Sequence, residues 1–116
     1  MPLIAPLPFN WLIHSVEYIE RDKERDEFGN ILYKPAVTIG NVRYDEQTSY
    51  ARGVQENTLE YSGVIFVDAR HSTNIPNPFI ENSMILFKGK ELTLKRVITC
   101  YQPNTDLVRH YELEVI

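Results

Sequence analysis

The residues of this sequence that could do chemistry are few and widely spaced. Metal centres and hydrolases bring such residues together at short intervals, as in HExxH or paired Cys/His motifs, and none of these spacings occurs. Glu112 and Glu114 share the polar face of one predicted strand, which alternation alone explains. The sequence therefore predicts no enzyme, no metal site and no cofactor. The candidate residues are the three histidines, His14, His71 and His110, and the single cysteine, Cys100. We expect Cys100 to be an inert thiol in a strand.

A second candidate for chemistry is the charged run Glu20–Glu27. Its carboxylates could in principle hold a divalent cation. However, Arg21, Lys23 and Arg25 are interleaved with them, and the regular ligand spacing of a calcium loop is absent. We predict a solvated hairpin that turns at Gly29-Asn30.

Composition limits the classes of protein that fit. With 116 residues, 43% of them hydrophobic, the chain is long enough for one core and one domain, residues 1–116. The net charge of −4 disfavours a generic basic nucleic-acid surface. The longest apolar run is far shorter than the roughly 20 residues of a membrane-spanning helix. The apolar beginning has three prolines and no basic residue, so we expect no secretory signal.

Strand patterns dominate the chain and are clearest in its last third, from Asn82 to Ile116. Three strand-like runs are separated by turns at Lys88-Gly89 and at Pro103–Asp106. Upstream, Val64–Val67 is a β-branched and aromatic run, and Gly40 permits a bulge in another strand. We predict an all-β fold: a small antiparallel β-barrel or sandwich of six to seven short strands.

Two segments fall outside this strand pattern. Residues 45–63 are polar, lack a clear period, and are predicted as a long flexible loop, either simply exposed or ordered against partner subunits. Residues 1–13 are predicted as an extended N-terminal arm, because prolines at 2, 6 and 8 interrupt regular structure. A short helical turn near Phe9–Ile13 is compatible with this arm. Its apolar side chains must either pack on their own domain or dock into a neighbour.

Several stretches together resemble the small minor capsid proteins of tailed bacteriophages and prophages, of the head–tail connector or stopper type. They are MPLIAPLPFNWLIHSVEY, YKPAVTIGNVRYDEQTSYAR, GVIFVDARHSTN and ILFKGKELTLKRVITCYQPNTDLVRHYELEVI. The resemblance covers nearly the whole chain. It implies a non-enzymatic β-barrel that forms a ring under the portal and helps to close the DNA channel.

The resemblance also implies partners and contact residues. The partners would be further copies in a homo-oligomeric ring, the portal or adaptor ring above, tail proteins below, and packaged DNA passing without sequence-specific contacts, with no membrane. The site would be the head–tail interface of the virion, after assembly in the host cytoplasm. The expected loop contacts are Gln47, Tyr50, Arg52, Gln55 and Asn57, and the expected docking arm comprises Leu3, Ile4, Leu7, Phe9 and Trp11.

Two other functions fit the same pattern. A tail-completion or tail-terminator ring would have a nearly identical sequence pattern, and only its binding partner would distinguish it. A host β-barrel adaptor that binds nucleic acid is the more distant alternative. It would be recognised by a salt-sensitive gel shift with single-stranded DNA.

Overall fold

The computed structural model describes residues 4–52 and 57–116, with the backbone alone for 48–52 and 57–61. Within these residues a short 3-10 turn precedes eight strands, which confirms the all-β class. No helix in this part of the chain is long and apolar enough to cross a membrane. The 3-10 turn is Phe9–Trp11, and the strands are β1 His14–Ile19, β2 Arg21–Arg25, β3 Ile31–Tyr33, β4 Val37–Arg52, β5 Asn57–Asp68, β6 Met84–Phe87, β7 Lys90–Tyr101 and β8 Val108–Val115.

Six of the strands form a closed antiparallel barrel in the order β1-β4-β5-β8-β7-β6, and β1 pairs with β6 to complete it. The last three strands form the predicted meander. Inward-facing side chains alternate with outward-facing ones, as small barrels require. The core is a cluster of mostly aliphatic residues: Val16, Tyr18, Ile39, Val42, Ile65, Val67, Phe79, Ile85, Leu92, Leu94, Leu113 and Val115.

A tight turn and a β-bulge occur where the sequence predicts them. Lys88 and Gly89 both have positive φ, at 49° and 79°, which is the geometry of a tight hairpin turn. The register between β1 and β4 shifts opposite Gly40 and Asn41, so this part of β4 carries the predicted bulge.

The barrel has two distinct ends. β1 and β5 both run toward the first end, which we call the arm end. The connection from β5 to β6 crosses it and inserts Phe79 into the core, 5.5 Å from the Tyr18 ring and 5.4 Å from the Tyr111 ring. The Tyr18 hydroxyl accepts a hydrogen bond from the backbone N–H of Ile80 at 2.8 Å. The arm end is therefore closed by an aromatic plug.

β2 and β3 form a separate two-stranded sheet, which follows β1 at the arm end. Most of its residues are exposed, in agreement with a solvated hairpin. The charged run supplies the exposed side chains of β2 from Lys23 to Arg25, whereas Arg21 and Asp22 are half-buried and the Arg21 N–H donates to the Ser83 hydroxyl at 2.9 Å.

The segment predicted as a loop, residues 45–63, needs a correction. β4 continues to Arg52 and β5 begins at Asn57, so all the described backbone of this segment is strand. Its residues pair with each other, for example Tyr50 with Leu59 and Arg52 with Asn57. Strand pairing satisfies this backbone beyond the barrel, so the barrel core does not impose a hydrophobic period on the sequence. The strands are also longer than predicted, with 16 residues in β4 and 12 in both β5 and β7.

Candidate functional site: the β4–β5 ribbon and the N-terminal arm

The β4–β5 ribbon, residues 47–52 and 57–62, projects from the second end of the barrel, which we call the ribbon end. Pairing of β5 with β8 starts at Gly63, and pairing of β4 with β1 stops at Val42. Beyond these positions β4 and β5 are paired only with each other among the described residues. At about 3.3 Å per residue, the ribbon reaches roughly 20 Å past the barrel.

Aromatic packing secures the base of the ribbon. The Tyr44 ring lies 4.7 Å from the Phe87 ring and directly over Gly63, whose missing side chain leaves the room it occupies. The Ser62 hydroxyl donates to the carbonyl of Val115 at 3.3 Å. The ribbon therefore leaves the barrel from a packed base, which restricts its direction.

His14 completes this base. Its Nδ1 accepts a hydrogen bond from the Tyr44 N–H at 3.0 Å, replacing the strand partner that β4 loses where β1 begins. The ring contacts Phe87 edge-on at 5.0 Å. Burial, and then the positive charges of Lys88 and Arg43, lower the pKa of His14 below 6.5, against an opposing effect of Asp45. The neutral imidazole is therefore the form that supports the fold.

Acidification is expected to destabilise the protein through His14. In the unfolded chain His14 takes up a proton near pH 6.5, whereas in the folded chain it does so only at lower pH. Its stabilising contribution is thus present above pH 6.5 and is lost as the pH falls toward the folded-state pKa. Urea unfolding between pH 5 and pH 8 should show this slope. His14→Gln should flatten it and His71→Gln should not; equal slopes in both variants would contradict this role.

The N-terminal arm packs on its own barrel, which is one of the two arrangements that the sequence left open. The Leu7 N–H donates to Asp68 Oδ1 at 2.9 Å, and Arg109 Nε donates to the carbonyl of Ala5 at 2.9 Å. Ile4 exchanges two hydrogen bonds with the side chain of Gln102. The Trp11 ring lies 5.1 Å from the Phe66 ring. The arm therefore lies along the outer face of β5 and β8.

Asp68 is the buried residue that organises this attachment, and sequence reasoning missed it. Its side chain is fully buried and accepts backbone hydrogen bonds from Leu7, Arg70 and His71, each at 2.9 Å. Its own N–H donates to the Ser72 hydroxyl. A buried carboxylate is tolerated because these donors replace water. The clue in the sequence was an aspartate at the end of a strong strand, as the first residue of DARHST, where it can organise a turn.

Replacing Asp68 with alanine is expected to lower the free energy of unfolding by about 3 kcal/mol, because three part-buried N–H groups, those of Leu7, Arg70 and His71, lose a charged acceptor. Urea denaturation measures this loss. Asp68→Asn should recover part of it, since one carbonyl oxygen still accepts. Amide exchange at Leu7 should also accelerate in Asp68→Ala. Unchanged exchange there would show that the arm does not depend on this carboxylate.

Cys100, His110 and Glu112 form a cluster whose three donor atoms lie within 4.8 Å of one another, so among the described residues they are the group that could hold a metal ion. Their present arrangement is a set of hydrogen bonds. The Cys100 thiol and His110 Nε2 both approach Glu112 Oε2, at 3.4 and 3.0 Å. Arg109 donates a hydrogen bond to His110 Nδ1 at 3.2 Å, so Nδ1 carries no proton. A histidine that bound a metal ion through Nε2 would instead carry its proton on Nδ1. The contacts therefore favour a structural cluster beside the arm.

The Cys100 thiol is expected to react slowly with alkylating reagents at pH 8. Burial, followed by the hydrogen bond to Glu112 and its charge, raises the pKa of this thiol above 9.0. The thiolate is the reactive form, so the rate should keep rising above pH 9. Glu112→Gln should accelerate iodoacetamide labelling at pH 8. Glu114→Gln, which removes the partner of Arg96, should leave the rate unchanged; the same acceleration in both would contradict the assignment.

The structure describes most of the residues that were predicted as contacts. Gln47 is exposed at the start of the ribbon, and the backbones of Tyr50, Arg52 and Asn57 lie within it. Gln55 and Leu3 lie outside the described residues. In the arm, Ile4 and Phe9 are exposed, whereas Leu7 and Trp11 are half-buried against the barrel. The predicted loop and arm contacts therefore belong to two separate surfaces.

A comparison of the sequence with protein families identifies the chain. The family described as "Minor capsid protein" matches residues 8–115. This chain belongs to the minor capsid protein family. A relative named "Uncharacterized protein ORF5", from Lactococcus phage LL-H, is 25% identical over 115 residues, which covers 96% of this chain and 98% of the relative. No solved structure matches the chain.

As a minor capsid protein of phages, the molecule is a structural component associated with the virion. This agrees with the resemblance noted in the sequence. The candidate surfaces for assembly are therefore the ribbon, the arm and the exposed β2–β3 hairpin.

Proposed function

We propose that this minor capsid protein forms a homo-oligomeric ring in the head–tail connector, under the portal, and acts as a stopper that helps to retain packaged DNA. The observation that carries the proposal is the β4–β5 ribbon. A two-stranded projection with both faces free of the barrel is suited to reach across a channel. A ring of such barrels would bring several ribbons toward one axis.

The charge of the protein is compatible with a channel through which DNA must move. Strong pairing with phosphates would hold the DNA in place, because each neutralised phosphate releases counterions and adds affinity. The chain has 16 acidic and 12 basic residues, for a net charge of −4. Such a lining would close the channel by filling it rather than by binding DNA tightly.

The ring would contact a portal or adaptor ring on one side and tail proteins on the other. With the ribbon end directed toward the channel, the arm end, which carries the β2–β3 hairpin and the aromatic plug, would lie at the outer edge of the ring. The partners above and below would therefore meet the sides of the barrels.

Antibody labelling of phage particles tests this placement. Gold-labelled antibody raised against the purified protein should bind DNA-filled heads that lack tails at the single vertex where the tail would attach. Isolated tails, prepared in parallel, should remain unlabelled. Label on the isolated tails and not on the heads would instead identify a tail-terminator ring. Label spread over the whole shell would overturn both assignments.

A further inference from the structure

The β2–β3 hairpin has an apolar surface that the rest of the chain leaves uncovered. Its strands have five and three residues, and a two-stranded hairpin of this kind is marginal on its own in water. The exposed apolar side chains are Phe28, Ile31, Leu32 and Tyr33, and Phe28 is the most exposed of them at 81%. A covering surface from outside the chain would account for this arrangement.

The turn of this hairpin, residues 26–30, holds Phe28 in a defined position. Asp26 Oδ1 accepts from the N–H groups of Phe28 and Asn30, at 2.9 and 2.8 Å, and Oδ2 accepts from the Asn30 amide. Arg25 donates to the carbonyl of Gly29 at 3.0 Å. A rigid turn that presents an exposed aromatic ring loses little conformational entropy on binding. These are the properties of an anchor residue at an interface.

An apolar cleft of about 560 Å³ on the arm has complementary properties. It is lined by Leu7, Pro8, Asn10 and Trp11, and we call it the arm cleft. Its walls are held in place by the Leu7–Asp68 hydrogen bond and by Trp11, which packs on Phe66 with Arg43 stacked 5.3 Å from its ring. The cleft is thus a preformed receptor for an apolar group.

The charges around the two surfaces are also complementary. Residues 24–27 of the hairpin carry three carboxylates, on Glu24, Asp26 and Glu27, against one guanidinium, on Arg25. The arm is flanked by Arg109, with Arg70 in the adjoining turn, and by Arg43, which is already paired with Asp45 at 3.2 Å. An acidic turn would therefore be attracted to a basic surround.

The positions of the two surfaces on the barrel match the needs of a ring. In the order β1-β4-β5-β8-β7-β6, strands β1 and β8 are separated by two strands along either path, so they lie on opposite sides. The hairpin leaves β1, whereas the arm cleft lies over β5 and β8. The Leu7 side of the cleft is at the arm end, where β5 ends at Asp68, and its Trp11 side extends along the barrel to Arg43. Two complementary patches on opposite sides of one barrel produce a head-to-tail contact that closes into a ring if the rotation fits.

We propose that Phe28 of each subunit inserts into the arm cleft of the next copy of this chain, and that this heterologous contact closes the ring. The inference rests on the proposed function, since it supplies the contact between neighbours in the connector ring. It also gives the arm and the hairpin their roles, as receptor and ligand. The ribbon, at the other end of the barrel, stays free of this contact.

Disulfide trapping in assembled particles tests the contact. In a Cys100→Ser background, Phe28→Cys combined with Asn10→Cys should give a ladder of covalent oligomers, up to the full ring, on oxidation and non-reducing electrophoresis. Neither cysteine alone should give a ladder or a dimer. A co-assembled mixture of the two single variants should give dimers and nothing larger, because each subunit then carries a single cysteine and can form only one disulfide.

Matched substitutions complete the test. Phe28→Glu should abolish ring incorporation, whereas Leu107→Glu, which alters a side chain that is 57% exposed elsewhere, should preserve it. A dimer from Phe28→Cys alone would show contact between two turns and would overturn this inference. If rings are present at the neck, the junction of head and tail, but oxidation gives no ladder of covalent oligomers, this inference is overturned while the proposed function remains intact. Wild-type particles with no ring of this protein at the neck would overturn both.

Discussion

Shortening the β4–β5 ribbon is expected to yield particles that package DNA and then lose most of it. If residues 48–61 are replaced by a two-residue Asn-Gly turn, the barrel should still fold, because the described core residues of β4 and β5, Ile39, Val42, Ile65 and Val67, remain in place. A ring of shortened subunits would no longer reach the axis of the channel. The DNA content of purified heads, measured by nuclease protection, gives the result.

A length-matched variant separates the reach of the ribbon from its charge. Arg52→Gln keeps every residue pair of the ribbon while removing one positive charge from a predicted loop contact. Such heads should retain their DNA if the ribbon closes the channel by filling it. Full retention by the shortened protein, with the protein present at the neck, would contradict the stopper role of the ribbon.

Replacing Gly63 with alanine is expected to destabilise the protein by about 2–3 kcal/mol, which is typical of overpacking. A Cβ at this position would lie 2.7 Å from Tyr44 Cε2 and 2.8 Å from the Tyr44 hydroxyl oxygen. The ring cannot easily move aside because Phe87 packs against it. Urea unfolding with Gly40→Ala as the comparison measures the effect. In that variant the close atom is only the Thr73 hydroxyl, so the loss should be smaller.

A double-mutant cycle ties this loss to its cause. When Tyr44→Ala is combined with Gly63→Ala, the double variant should be less destabilised than the sum of the two single losses, since the alanine methyl then meets no ring. Strict additivity would show that the alanine acts through some other contact. A loss no greater than that of Gly40→Ala would contradict the close packing at the ribbon base.

Features set by short stretches of sequence were predictable. The Lys88-Gly89 turn, the bulge at Gly40 and the strand alternation from Tyr111 to Val115 depend on neighbours in the chain, so their residue types indicate them directly. The short helical turn near Phe9 belongs to the same class. The all-β class followed from the number of such local patterns.

Features set by distant partners were not predictable in this way. His14 and Tyr44 are 30 residues apart, and Leu7 and Asp68 are 61 apart, so no local spacing indicates either hydrogen bond. The ribbon was missed for a different reason. Its strands pair with each other beyond the barrel, so the barrel core imposes no period of two on the sequence between Asp45 and Gly63.

The most direct test of the account is a focused cryo-electron microscopy reconstruction of the neck of DNA-filled particles. The account predicts a ring of six-stranded barrels beneath the portal, with the β4–β5 ribbons directed toward the channel axis. The β2–β3 turn of each subunit should lie on the arm of the next. A neck that lacks this barrel, or a ring whose ribbons point outward away from the DNA, would contradict it.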